Sequence, residues 1–276
     1  MILVADSGST KTDWRLINKG ETTSFETIGF NPYFVTSAGV LTELVNSDLV
    51  SIKDDVTQVY FYAAGCATQE KRNVLQSPLS TFFSNAKVEV EHDMLAAARA
   101  TTGKSKGLVA ILGTGSNSCL YDGTEIVENV AALGFILGDY GGGADIGKTF
   151  IKSLIGRELP VEVEVDFNEE YKLSTPDVLD AVYKQALPNR FLAGFSKFVF
   201  QHINNPVILK MVEHRFELFF EKNICKYSDY QNNTLHMVGS IAYIYQDIFK
   251  KTAEKHNVKI GKVIKQPIEE LVKYHV

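Results

Sequence analysis

The chain opens as short apolar runs divided by polar turns. Ile2 to Ala5 is one run, Thr12 to Ile17 a second and Thr22 to Ile28 a third, with Lys19-Gly20 marking the turn before the last. A helix is predicted at about Ser37 to Ser47. VTQVYFYAAG (56–65) is apolar enough for a buried strand that stops at Gly65. Residues 68–84 read as helix and AKVEVEHD (86–93) as a strand ending on Asp93. MLAAARA (94–100) consists of strong helix formers.

At residue 107 the pattern starts again. GLVAILGTGSNSCLYDG (107–123) is strand, glycine-rich turn, strand, with a turn at Asp122-Gly123, and EIVENV (125–130) supplies a third strand. A repeat in pattern, though not in letters, points to two related lobes. The remainder is mostly helical. Ser174-Thr175-Pro176 and Asn205-Pro206 each give a cap followed by proline. The second of these starts a long helix with Ile208, Leu209, Val212, Phe216, Phe219 and Phe220 at helical spacing, a core stripe. TLHMVG (234–239) is a strand ending in glycine, after which SIAYIYQDIFKKTAEK starts a helix. A short strand (258–264) and a last helix after Pro267 close the chain.

Composition narrows the classes. The chain has 276 residues, 45% of them hydrophobic, and a net charge of −5, enough apolar surface for a real core. Its richest basic stretch, Lys250 to Lys265 with six lysines, lacks interleaved aromatics, so no nucleic-acid partner is expected. Cys66, Cys119 and Cys225 lie far apart with no C-x-x-C or H-E-x-x-H, so neither a disulfide framework nor a zinc site is supported, and a reducing compartment fits. The start MILVADS lacks a basic leader, and the longest apolar run, near Val130 to Leu137, is too short for a bilayer. The expectation is a cytoplasmic protein with no membrane partner.

GGADIGKT (142–149) fits the Walker A pattern G-x-x-x-x-G-K-[ST]. Context argues against that reading. The string lies in a loop with four glycines between 138 and 143, and ADIGKTFIKSLI reads as helix from about Ala144, leaving Lys148 a full turn inside. Gly147 is then a site of close helix packing, and Asp139 to Gly143 a substrate loop.

Phosphate chemistry is better placed elsewhere. In ADSGSTKTDW (5–14) a buried strand ends in Asp6, and Ser7, Gly8, Ser9, Thr10, Lys11 and Thr12 form a small-residue turn into the next strand. Small residues let backbone N–H groups approach a phosphate, and a strand-end aspartate can hold Mg²⁺ directly or through water. The same residues also make an ordinary hairpin with Asp6 as a local cap. ILGTGSNS (111–118) repeats the device with Gly113, Thr114, Gly115 and Ser116, and MVGSIA (237–242) joins a strand to a helix through Gly239 and Ser240.

These three segments, in this order, resemble the phosphate-1, phosphate-2 and adenosine motifs of the sugar kinase, heat-shock chaperone and actin superfamily. The resemblance is closest to the branch of N-acetylglucosamine kinases and BadF/BadG-type ATPases, in which G-T-G-S-N recurs, as here at Gly113 to Asn117. That branch continues with G-D-E-G-S, where this chain reads GDYGG (138–142) with Tyr140 in place of the glutamate. The resemblance implies an α/β, two-lobed actin-like (ribonuclease H-like) fold, each lobe a mixed sheet flanked by helices. Lobe one would span 1–105. Lobe two, rich in helix, would span 106–276, with the last helix able to pack back on lobe one.

It further implies an ATP- and Mg²⁺-dependent kinase for a hydroxyl of an N-acetylated amino sugar, expected as a homodimer. Asp93 matches the catalytic base, which takes the hydroxyl proton as oxygen attacks the γ-phosphate; it also suits an N-cap for the helix at Met94. Asn31, Asn117 and Asp139 match the sugar contacts, while Asn31 before Pro32 and Asp139 in its loop also suit local turn roles. His92 reads as structural. Two alternatives carry other functions: an activator ATPase of a 2-hydroxyacyl-CoA dehydratase, which would need exposed paired cysteines for an iron–sulfur cluster, and a non-catalytic sugar sensor, which would need no base.

Overall fold

The computed structural model describes residues 1–8 and 10–276. The chain divides into two compact units, residues 1–104 with 266–276, and residues 105–265.

The first unit is built on five strands. β1 (Ile2–Ser7), β2 (Lys11–Asn18) and β3 (Glu21–Ile28) form an antiparallel meander. After α1 (Ser37–Val45), β4 (Gln58–Ala63) joins parallel to β1. After α2 (Gln69–Phe82), β5 (Lys87–His92) joins parallel to β4, and α3 (Asp93–Thr102) follows without a loop. The order is β3-β2-β1-β4-β5, so the carboxyl ends of β1, β4 and β5 share one edge. β1, β2 and β4 bury Leu3, Ala5, Trp14, Leu16, Val59 and Phe61 against Leu75 and Leu79 of α2. Trp14 packs on Phe61 at 5.3 Å between ring centres, and its indole N–H donates to Thr27 Oγ1 at 3.0 Å, which satisfies the ring's one polar group.

The second unit repeats the scheme. β6 (Gly107–Leu112), β7 (Ser116–Tyr121) and β8 (Ile126–Val130) are an antiparallel meander. Helices follow: α4 (Gly134–Leu137), α5 (Gly143–Ile155), α6 (Val161–Tyr171), α7 (Thr175–Tyr183), α8 (Pro188–Gly194), α9 (Ser196–Gln201) and α10 (Pro206–Lys222). Ser174 caps α7 in a reciprocal box with Asp177, and Asn205 caps α10, whose aromatic stripe enters the core as its spacing predicts. β9 (Leu235–Val238) pairs parallel with β6, and β10 (Ile260–Ile264) with β9. Between them the single predicted helix is two, α11 (Ser240–Ile244) and α12 (Gln246–Lys255). The break lies at Tyr245, whose buried ring directs its hydroxyl to Ser196 O at 2.6 Å. The final helix, α13 (Ile268–His275), packs in the first unit against α3, β1 and β2. No helix among the described residues is long and apolar enough to cross a membrane.

Gly147 and Lys148 lie inside α5, as their helical context predicts. A methyl group at Gly147 would run into the carbonyl of Leu192, so the glycine lets α5 and α8 touch. Lys148 Nζ donates to Phe135 O at 2.6 Å and sits 3.9 Å from Asp145, an anchoring role inside the helix.

Candidate active site

In the first unit, Asp6 ends β1 and Asp93 opens α3 directly after β5, both at the shared carboxyl edge of the parallel strands. Both are half-buried. Burial is the main cause that lifts Asp6 to about 7, reinforced by the negative charges of Asp93 and of Asp13, its cross-strand partner. Burial lifts Asp93 to about 6, although its own and Met94's backbone N–H groups at the helix start favour the charged form. The N-cap role belongs to His92, whose Nδ1 accepts from Leu95 N at 3.3 Å. Burial and the charges of Arg72 and Arg99 push that imidazole down to about 4, which keeps it neutral and acceptor-competent. Asp93, at the first helical position, therefore has a carboxylate that capping does not consume.

Two hydroxyls of the hairpin between β1 and β2, those of Ser7 and Thr12, are engaged within the first unit. Ser7 Oγ and Thr12 Oγ1 are buried and 2.7 Å apart, Thr12 Oγ1 donates to Ile28 O at 2.9 Å, and Ser7 Oγ accepts from Phe30 N at 2.9 Å. Gly8 N donates to Lys11 O at 3.0 Å. Lys11 Nζ is paired with Asp13 at 2.9 Å and Glu26 at 3.3 Å on the exposed side. Gly8, Thr10 and Lys11 are the exposed members of the turn, and Ser9 lies outside the described residues. Asn31, 7% exposed, makes the local turn that its sequence allows: its Oδ1 accepts from Tyr33 N at 3.0 Å. The same oxygen lies so close to Gly65 that a methyl group there would sit 2.6 Å from it, which fixes Asn31 over the turn after β4.

In the second unit the turn between β6 and β7 is closed by Gly113 N donating to Gly115 O at 3.0 Å. It is then fastened to the next loop. Gly143 N donates to Gly113 O and Ala144 N to Thr114 O, both at 2.8 Å, and Ser116 Oγ donates to Tyr140 O at 2.9 Å. Gly115 faces Asp139, whose carboxylate fills the space a Cβ would need, and Gly142 lies against the Gly115 backbone. Burial lifts the Asp139 carboxyl above its ordinary range, opposed by the Ser116 backbone N–H. Asn117 Oδ1 accepts from Ser118 N at 2.8 Å and Asn129 Nδ2 at 3.1 Å. Gly239 has φ +123°, and any side chain there would meet Leu112 O, so the Gly239-Ser240 junction lies directly against the end of β6 and the turn. Four backbone segments thus meet with almost no side chain between them, a surface suited to a polyphosphate.

The residues bear on a metal as follows. Asp6, Asp13 and Asp93 load the edge of the first unit with negative charge, opposed mainly by Lys11. Among the described residues no group of three or more His, Cys, Asp and Glu converges to hold an ion alone. A donor set of one or two carboxylates fits Mg²⁺, which keeps several waters and takes its other ligands from phosphates. The thiols do not fit a surface iron–sulfur cluster: Cys66 and Cys119 are fully buried, and burial pushes each up to about 12.

Sequence reading missed Asp13, Asp145 and Arg215. Asp13 is signalled by strand register, since in a tight antiparallel hairpin it must face Asp6. Asp145 is signalled only by an acid on the apolar face of a helix, and Arg215 by a cation within an aromatic stripe.

Known proteins share the fold. No family model matches the chain. The crystal structure of a candidate N-acetylglucosamine kinase from Porphyromonas gingivalis is 40% identical and superposes with a TM-score of 0.95, covering 100% of this chain and 98% of that one. An N-acetylmuramic acid/N-acetylglucosamine kinase from Clostridium acetobutylicum is 24% identical over 230 residues, 77% of this chain and 75% of that one. A ROK family glucokinase from Streptomyces griseus, solved with glucose and AMPPNP, shares the fold at 14% identity and a TM-score of 0.57, over 97% of this chain and 94% of that one. Two repeated mixed sheets with glycine turns at corresponding ends define an actin-like ATPase fold of the sugar-kinase type. Within that class, the chain belongs to the N-acetylglucosamine kinase-like family.

Proposed function

We propose that this protein transfers the γ-phosphoryl group of ATP to a hydroxyl of an N-acetylated amino sugar, N-acetylglucosamine first among them. The observation that carries the reading is the pair Asp6 and Asp93. Two half-buried carboxylates at one sheet edge have their pKa values raised toward neutrality, both mainly by burial and Asp6 also by the charge of Asp93. A proton acceptor works best when its pKa lies near the operating pH. Asp93, at about 6, is a base able to take the sugar hydroxyl's proton as its oxygen attacks phosphorus.

The other residues divide by chemistry. Thr10 and Lys11 offer hydroxyl and ammonium donors to the phosphates and the backbone of Thr114 and Gly115 offers N–H groups, while Gly8 and Gly113, whose N–H groups close their own turns, and Ser116 shape the two turns. The Gly239-Ser240 junction offers a flat surface to the nucleoside. Ser7 and Thr12 contribute by fixing the hairpin. Asn31, Asn117 and Asp139 are the sugar contacts, and each is already held by its own neighbours, so orientation is established before substrate arrives. Mg²⁺, carried with ATP and held at Asp6 directly or through water, would offset the phosphate charge. The working form is taken as a cytoplasmic homodimer of two lobes, 1–105 and 106–276, with the last helix of the chain given back to lobe one. A sensor would have no use for two raised carboxylates, and the buried thiols disfavour the activator ATPase.

The test is ADP release with Mg-ATP across N-acetylglucosamine, N-acetylmannosamine, N-acetylmuramic acid, glucosamine and glucose. Turnover should require an acetylated sugar and fall by about 10²-fold or more in Asp93→Asn. Sugar-independent hydrolysis, or equal rates in both proteins, would overturn the reading.

A further inference from the structure

We propose that Asp145 is a positioning residue that sets the 138–142 loop, and with it Asp139, against the glycine turn of the second unit. The proposal rests on the sugar-kinase reading for its consequence, but its geometry stands apart from it.

One residue of the loop is held in an unfavourable backbone shape: Asp139 has φ +53°, while Gly141 takes φ +72° without a Cβ penalty. A non-glycine residue in the left-handed region costs about 1–2 kcal/mol and persists only where its surroundings over-determine it. Three bonds do so. Gly142 N donates to Asp139 O at 3.0 Å, closing the turn; Ser116 Oγ donates to Tyr140 O at 2.9 Å; and Gly141 N donates to Asp145 Oδ2 at 3.0 Å. The third ties the middle of the loop to α5, whose Ile146 N meets only the last loop residue, through Gly142 O at 3.0 Å, and it alone of the three ends on a carboxylate, which makes it the strongest of them.

Asp145 is 2% exposed. A carboxylate so buried is costly unless it is paired and hydrogen-bonded. Its second oxygen faces Arg215 Nη1 at 3.8 Å and Lys148 Nζ at 3.9 Å, and His214 adds a weaker positive influence. Arg215, from α10, also donates to Thr149 Oγ1 at 3.3 Å, while Thr149 Oγ1 donates to the Asp145 carbonyl at 2.8 Å. Lys148 ties the same cluster to Phe135 O, just ahead of the loop. The network therefore runs from α10 through α5 to both ends of the loop. The Tyr140 side chain does not share this work, since its ring packs on the core of the unit. The Asp139 carboxyl is seated by the Ser116 N–H and Gly115, and the backbone beneath it is set by an acid six residues downstream.

The experiment compares wild type, Asp145→Asn, Asp145→Ala and Asp145→Ala/Arg215→Met. It measures KM for N-acetylglucosamine and for ATP, thermal stability, and amide hydrogen exchange over residues 138–142. Asp145→Ala should raise the sugar KM tenfold or more, change the ATP KM by less than twofold, and lose exchange protection at Gly141. Asp145→Asn, which keeps an acceptor for Gly141 N–H, should recover most of the sugar KM. The double variant removes the stranded arginine charge and should recover thermal stability without the sugar KM. Unchanged protection at Gly141 in Asp145→Ala would overturn the proposal. So would a double variant in which sugar KM returns together with stability, because the role would then be structural alone. If the wild type phosphorylates none of the sugars, the kinase reading fails, and the exchange comparison still decides the position of the loop.

Discussion

Neutralising Asp93 should make the protein more stable at the pH at which it loses activity. In the folded chain the Asp93 carboxyl titrates near 6 against 3.8 when exposed. It therefore binds its proton more tightly folded than unfolded. Its favourable contribution is full below pH 3.8 and is lost as pH rises through about 6. A shift of that size corresponds to about 3 kcal/mol at pH 8 at 1.36 kcal/mol per unit, and partial exposure of the carboxyl reduces this to roughly 2 kcal/mol. Asp93→Asn removes the cost and also lowers the pKa of Asp6, on which the Asp93 charge acts. His92 and His275, both held near 4, act in the opposite direction: they stabilise above pH 6.5 and lose that contribution as pH falls through 4. Those terms are common to both proteins and cancel in the difference. Urea unfolding of wild type and variant from pH 4 to 8.5 without Mg²⁺ should give curves that meet near pH 4 and separate by roughly 2 kcal/mol by pH 8, with the variant higher. A variant that is less stable at pH 8, or a gap independent of pH, would refute the claim that burial sets this carboxyl.

Four further outcomes follow from the same geometry. Wild-type kcat/KM for the sugar should fall as pH drops through about 6, as Asp93 takes up its proton, and a rate flat from pH 5 to 8 would exclude it as the base. Gly147→Ala should destabilise the chain by about 2 kcal/mol or more in urea unfolding, because its methyl meets the Leu192 backbone and no flexible side chain can yield. Gly142→Ala places a methyl 2.6 Å from the Gly115 carbonyl carbon and should raise the ATP KM at least tenfold in the ADP-release assay. Tyr62→Phe removes a hydroxyl that contacts His275 Nε2 at 2.8 Å and Arg99 at 2.7 Å; it should cost about 1–2 kcal/mol and raise hydrogen exchange in α13.

The first strands of each sheet and their ends were legible because both sheets begin as hairpins. In a hairpin, register follows from the turn, so Asp6 at the end of β1 and the glycine turn after β6 are fixed locally. The helical half was legible where caps are explicit, as at Ser174 and Asn205. It was less so where packing overrides pattern. Residues 161–167, VEVEVDF, alternate like a half-buried strand, yet form α6. Val163 and Phe167, four apart, enter the core, while Val161 and Val165 are 72% and 48% exposed. The break at Tyr245 depends on a hydroxyl finding Ser196, 49 residues earlier, which no local pattern announces. Asp145 and Arg215 were illegible for the same reason: an acid in one helix and a base 70 residues later acquire meaning only when α5 and α10 meet.

The return of α13 to the first unit sets the order in which the protein can be completed. A nascent chain exposes residues 1–104 first, with all five strands of one sheet. It still lacks the helix that covers α3 and the first two strands, where Arg15 meets Glu269 at 2.8 Å and Tyr60 stacks on His275 at 3.7 Å. Residues 105–265 are one uninterrupted stretch and can close their core without a segment from either flank. The unit begun first is thus closed by a segment that lies beyond the other unit, and until that segment docks, the face it covers stays bare.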